Sequence, residues 1–169
     1  MTAAEQVAFL AGSKTVILSS IDPLGYPHSV AMWFSLIDGV VHMTTFRKSQ
    51  KVLNMRRSPK VTLLAESGVT YAELRGLMIR GRAELVEDAD LCTEILTDIQ
   101  SRYYGPVDPS VREMLRLQAA KRVAIRVHPE RIASWDHSKL GGSNGLDHYG
   151  PLSSRLPLLL TLYPTMRAM

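Results

Sequence analysis

Between Gly39 and Ala65 the chain has no acidic residue, and the middle of that stretch reads Thr44-Thr45-Phe46-Arg47-Lys48-Ser49-Gln50-Lys51. An apolar, β-favouring run (Val40, Val41, Met43) leads in. A helical pattern, Lys51-Val52-Leu53-Asn54-Met55-Arg56-Arg57, leads out and stops at Ser58-Pro59. A strand therefore hands over to hydroxyls and cations and then to a helix start. A phosphate needs this chemistry: free backbone N–H groups, the positive end of a helix dipole, and cationic side chains. Lys48 and Lys51 also admit a plainer reading as solvated cations on a helix face. Arg56 and Arg57 read as ordinary cations at the helix C-terminus.

Few other residues suggest chemistry. Trp33 and Trp135 each follow a β-like run and read by default as core or interface. His28 and His137 lie on turns and are candidate acid/base groups, but scattered histidines are more often surface residues. The five histidines show no HExxH-like spacing, so no metal site is expected. No Gly-x-Ser-x-Gly elbow or P-loop is present, which argues against hydrolase and NTPase activities. The single cysteine, Cys92, excludes an internal disulfide and sits in an apolar helical stripe, as a buried structural thiol would.

The elements that must position these residues follow from periodicity and turn chemistry. Residues 2–12 read as a short helix ending at Gly12. Strands are expected at Thr15 to Ile21, Pro27 to Ile37 and Val40 to Phe46, with Asp22-Pro23-Leu24-Gly25 and Asp38-Gly39 as turns. Further strands are expected at Val61 to Glu66, Tyr71 to Val86, Val123 to Val127 and Arg131 to Trp135. Gly76 and Gly81 interrupt the long one, marking bulges or close approaches. Asp88 caps a helix whose Leu91, Ile95 and Ile99 share one face, and Pro109 opens another. Many strands with few long crossovers predict a mainly β fold, an antiparallel β-barrel with flanking helices.

Composition agrees with one ordinary globular domain: 169 residues, 46% hydrophobic, 21% charged. The net charge of +4 suits a small anionic ligand, and no basic tract alternates with aromatics, so nucleic acid is not expected as a partner. The N-terminus lacks the pattern of a secretory signal, and the apolar run Leu156 to Tyr163 is too short to span a bilayer. A cytoplasmic protein without membrane partners is expected. The Gly-, Ser- and Pro-rich tail, 141–169, is expected to be mobile or to dock on a partner subunit, leaving 1–140 as the domain.

In order and spacing the chain resembles the flavin-binding split β-barrels related to pyridoxamine 5′-phosphate oxidase. Within them it most resembles the actinobacterial flavin/deazaflavin oxidoreductases that use coenzyme F420. The carriers are Gly25-Tyr26-Pro27-His28 running into Ala31-Met32-Trp33-Phe34, then Lys48-Ser49-Gln50-Lys51 and Asn54-Met55-Arg56-Arg57-Ser58-Pro59. They continue with Leu74-Arg75-Gly76, Gly81-Arg82-Ala83-Glu84 and Ser134-Trp135-Asp136-His137-Ser138-Lys139-Leu140.

The resemblance implies a homodimer of split barrels with two cofactor sites at its interface. It places Thr44, Thr45, Lys48, Ser49, Gln50 and Lys51 at the cofactor's phosphate, Met32, Trp33 and Phe34 along its ring, and Trp135 against the ring from the C-terminal part. Gln50 stands where the oxidases have arginine, and their Arg-Leu-His-Asp-Arg substrate segment is absent after Trp135. Both departures point away from pyridoxamine phosphate and toward F420, with hydride transfer to an organic acceptor as the implied activity. FMN is the alternative cofactor, and a non-catalytic carrier of a cofactor or porphyrin is a further alternative. No catalytic side chain is assigned.

Overall fold

The computed structural model describes residues 1–140; the tail expectation for 141–169 lies outside the described residues. Seven strands form one antiparallel sheet: β1 (Thr15–Ile21), β2 (Pro27–Trp33), β3 (Ser35–Ile37), β4 (Val40–Phe46), β5 (Lys60–Ser67), β6 (Arg75–Val86) and β7 (Arg122–Asp136). Four helices accompany it: α1 (Ala3–Gly12), α2 (Gln50–Arg57), α3 (Ala89–Tyr104) and α4 (Pro109–Ala119). The strand order is β2-β1-β5-β6-β7-β4-β3. The two edge strands are chain neighbours separated by Phe34 alone, so the sheet curls until its edges meet at that residue, as a half-barrel.

The expected single strand over Pro27 to Ile37 is therefore two strands, broken where Phe34 turns into the core with no exposed surface. Conversely, the two expected strands around His128-Pro129 are one continuous β7. Pro129 lacks an N–H, and its place in the ladder opposite Gly81 coincides with a register shift between Arg80 and Gly81. A Cβ on Gly81 would lie 2.2 Å from the His128 carbonyl oxygen, so only glycine lets the strands approach there. The stretch Tyr71–Glu73 is a 3-10 turn closed by a Thr70/Glu73 capping box rather than the start of a strand. At the β3–β4 hairpin, Asp38 and Gly39 both take positive φ (54° and 73°), the backbone a tight two-residue turn demands.

Alternate residues of each strand fill the barrel: Val16, Leu18, Met43, Leu63, Leu77, Ile79 and Ile125 are all buried in one cluster. Helix α1 closes one end through Leu10 and Phe9, and α2 closes the other through Val52 and Met55. Helices α3 and α4 cover the outer face of β7, where Ala124 meets Cys92, Ile95, Ile99, Leu115 and Ala119. Burial raises the Cys92 thiol pKa, which suits a structural rather than a nucleophilic thiol. Asp88 and Asp108 cap α3 and α4 by accepting backbone N–H groups of their first turns.

Helix α2 is pinned to β1 by a buried amide. The Asn54 side chain is 1% exposed; its Nδ2 donates to Ser20 Oγ (3.2 Å), and its Oδ1 accepts from Gln50 Nε2 (2.9 Å). Asn54→Ala strands Ser20 and leaves a void. We expect a loss of about 1–3 kcal/mol, seen in thermal unfolding as a drop of roughly 2–4 °C per kcal/mol.

Candidate functional site

Strand β4 ends at Phe46, and the chain turns through Arg47 and Lys48 into α2. Side chains alternate along β4, which decides which of its two threonines meets the helix. Val41 and Met43 face the barrel interior, and Thr45 continues that row opposite Val123. Thr45 Oγ1 lies 3.3 Å from Ser49 Oγ and accepts a hydrogen bond from Lys51 Nζ at 3.2 Å. Ser49 is the N-cap of α2, yet its hydroxyl makes no cap hydrogen bond and is directed to Thr45 instead. The first turn of α2 contains no acidic residue, and its leading N–H groups have no intrahelical acceptor. Two hydroxyls, an ammonium and the positive end of a helix thus converge on one small cradle. Partial burial pushes the Lys51 pKa below the usual lysine value, as expected for a cation short of a counter-anion.

The structure does not bring every expected residue to this cradle. Thr44 points to the opposite face of β4, toward α3, with Arg122 Nη1 3.5 Å from its hydroxyl. Gln50 turns along the helix to Asn54 and serves the anchoring of α2. Lys48 is exposed on the turn. Phe34 is core: its ring lies under the Arg102 guanidinium (Cζ 4.6 Å from the centroid), so within this chain it lines no site. Met32 packs half-buried against the barrel core. Trp33 remains 44% exposed and stacks on Tyr103 with ring centroids 4.3 Å apart.

Trp135 lies on the outward face of β7, flat across Gly76 of β6. A Cβ at Gly76 would come 2.0 Å from the indole Cζ2, so the glycine is what allows this pose. Twelve residues of β7 separate Trp135 from Val123, the residue opposite Thr45. That is about 40 Å of strand contour. Within one chain the indole and the cradle therefore sit at opposite ends of the barrel.

One buried polar group escaped sequence reading because nothing near it in sequence marks it. His42, 4% exposed, sits between β4 and α3. Its Nδ1 lies 2.9 Å from the Val40 carbonyl and its Nε2 3.1 Å from Arg126 Nε, a permanent donor. Nε2 must then accept and Nδ1 must donate, so the imidazole is neutral. Arg126 and His128 in turn share Glu84 Oε2 at 3.1 and 2.7 Å. Of the two candidate acid/base histidines, which the sequence reads more readily as surface residues, His137 has its Nδ1 3.0 Å from the Tyr71 carbonyl, and His28 is half-buried with Nδ1 unpartnered. Neither lies in the cradle. Among the described residues no group of His, Cys, Asp and Glu could hold a metal, and no helix is long and apolar enough to cross a membrane.

A curled antiparallel sheet closed at its ends by helices, with two hydroxyls and an ammonium gathered at a strand-to-helix turn, is the architecture of the flavin-related split-barrel family. The family profile described as pyridoxamine 5′-phosphate oxidase matches residues 2–136, and the chain belongs to that family. Among solved structures, a conserved hypothetical protein of Mycobacterium tuberculosis, Rv2991, is 40% identical (TM-score 0.79; 91% of this chain, 94% of that one). A protein described as an F420 reductase is 27% identical (TM-score 0.58; 75% and 94%). The heme storage protein HutZ of Vibrio cholerae shares the fold at 18% identity (TM-score 0.61; 78% and 92%). No curated protein sequence matches.

Burial, and to a smaller degree the nearby Arg126, lowers the folded-state pKa of His42 below its usual 6.5. A depressed pKa means that the unfolded chain takes up the proton first. The contribution of His42 is complete above about pH 6.5 and is lost as pH falls below it toward the folded value. Urea unfolding at pH 7.5 and 5.5 is expected to show lower stability at 5.5, and His42→Gln is expected to flatten that difference.

Proposed function

We propose that this protein is a deazaflavin-dependent oxidoreductase that moves a hydride between reduced coenzyme F420 and an organic acceptor. The observation that carries the reading is the cradle of Thr45, Ser49 and Lys51 at an α2 start free of acids. Its donor set fits a phosphate: one ammonium, two hydroxyls and the N–H groups of a helix terminus. The 27% identity to an F420 reductase supports F420 over FMN. When bound, the deazaflavin ring supplies the hydride chemistry. The chain holds the phosphate and orients the ring; no nucleophile or acid/base pair stands in the cradle, and none is required. FMN remains the alternative, since the cradle reads only the phosphate. Titration with each cofactor, followed by absorbance and fluorescence, separates the two: tight FMN binding without F420 binding overturns the proposal.

The cradle also predicts which cation matters. Lys51→Ala is expected to weaken cofactor binding by about 1.5–3 kcal/mol, the size of a charge-assisted hydrogen bond. Arg57, at the far end of α2, donates instead to the Ile21 carbonyl, and Arg57→Ala is expected to change binding far less. Equal losses by calorimetry would place the phosphate elsewhere.

We propose further that the active form is a homodimer with its cofactor sites at the interface. Two observations support it. Trp135 and the cradle sit toward opposite ends of β7 within one chain, twelve positions apart along it. The outward face of β1 and β2 leaves Ile17, Ile21 and Trp33 between 37% and 44% exposed. Sedimentation is expected to give a dimer; a stable monomer carrying cofactor would refute this.

A further inference from the structure

The end of the barrel closed by α1 holds a cavity of about 570 Å³ that the cofactor reading leaves unused. Five residues of β1, roughly 17 Å, separate Thr15 on its rim from Ser20, which anchors α2. Ser67, Arg75 and Asp136 lie opposite one another on β5, β6 and β7, so their side chains project from the same face into this end. Lys14, Phe9 and Ala8 line the other side.

The acids in this cavity are largely engaged. Glu5 accepts Lys139 Nζ on both oxygens at 2.7 Å, and Asp136 accepts the Ser138 N–H and hydroxyl. The donors are not. The Arg75 side chain donates no hydrogen bond to the described residues; its guanidinium faces the Phe9 ring at 5.7 Å and lies within the electrostatic reach of Asp136, its neighbour across the strands. Ser67 Oγ is buried with no partner. A guanidinium and a hydroxyl on neighbouring strands lack an acceptor, and an aromatic wall stands beside them. The volume is in the range of small-molecule sites. Glu5, Glu66 and Asp136 nearby oppose a dianion such as phosphate and leave room for a single negative charge.

We propose that this cavity is a second ligand site, separate from the cofactor cradle, for a small monocarboxylic acid with an apolar body. The carboxylate pairs with Arg75 in the two-pronged geometry guanidinium favours and accepts from Ser67, while Lys14, whose Nζ lies 5.5 Å from the Tyr103 ring centroid, adds positive potential from the rim. The apolar body lies along Phe9 and Ala8.

The test is amide-resolved NMR of the full chain titrated with benzoate, hexanoate, benzamide and inorganic phosphate. Saturable shifts around Ser67 and Arg75 are expected with the two carboxylates and none with benzamide or phosphate. Arg75→Gln is expected to weaken benzoate at least tenfold and Ser67→Ala several-fold, with melting temperatures unchanged. Should Arg75→Gln fail to fold, Ser67→Ala and Lys14→Gln carry the test, and wild-type affinity in both overturns the proposal. Lys51→Ala is expected to bind benzoate as wild type does, whatever it does to cofactor affinity. No saturable shift with either carboxylate, equal binding of benzamide or phosphate, undiminished binding by Arg75→Gln, or loss of binding in Lys51→Ala would each overturn it.

Discussion

The joint at Phe34 is the constraint on which the rest of the structure depends. The ring is fully buried, its carbonyl accepts Arg102 Nη1 at 2.7 Å, and the same guanidinium covers the ring. Arg102 Nη2 also takes the carbonyls of Ala11 and Ser13, at 3.0 and 2.8 Å. One side chain of α3 thus ties together the end of α1, the approach to β1 and the point where the sheet's margins meet. Of the three residues only Phe34 is fully buried, and a buried carbonyl left unpaired costs about 1–3 kcal/mol. A permanent cation with five donors is suited to serve all three carbonyls at once.

Holding the barrel at that joint leaves two ends, and the chain uses them differently. At the α2 end the donors are grouped before any ligand arrives: Thr45 already receives Lys51 and touches Ser49. For the anion proposed to bind there, little ordering would remain to be done, so more of its interaction energy would appear as affinity. The Asn54–Ser20 contact matters here too, because it fixes the height of α2 against β1 and hence the place of its first turn. At the α1 end the closure is looser, an amphipathic helix laid across strand ends with charged groups around the space beneath it. Trp135 stands at that end but on the outward face, where Gly76 gives it room.

Much of this was legible in the sequence, for physical reasons. The strand–cation–helix passage from Val40 to Arg57 could be read because its periodicity changes abruptly and its turn residues are unambiguous. The hairpin at Asp38-Gly39, the cap Asp88 and the helix-opening Pro109 carry local signals that tertiary structure did not override. What could not be read is what local signals do not encode. Phe34 looks like one more apolar residue in a long strand; only the closure of the sheet makes it a joint. Pro129 suggested a break, yet a register shift opposite Gly81 absorbed it. The side of β4 on which each threonine falls was implicit in its alternation, but which side the helix would cover was not. Thr44 and Gln50 were therefore grouped with residues they do not meet. His42 gave no sequence signal because its partner beyond the local carbonyl, Arg126, comes from a strand 84 residues away.

The closure at Phe34 also bears on how the molecule can associate. An open sheet ends in two rows of unpaired backbone groups, which invite strand-by-strand polymerisation. Here one margin is a strand of three residues, and the other begins with a proline that has no N–H to offer. The two are drawn together by the backbone that joins them. Little template is left for adding a strand from another chain, so any association between copies is left to the faces of the sheet, where side chains rather than backbone decide which neighbour is accepted.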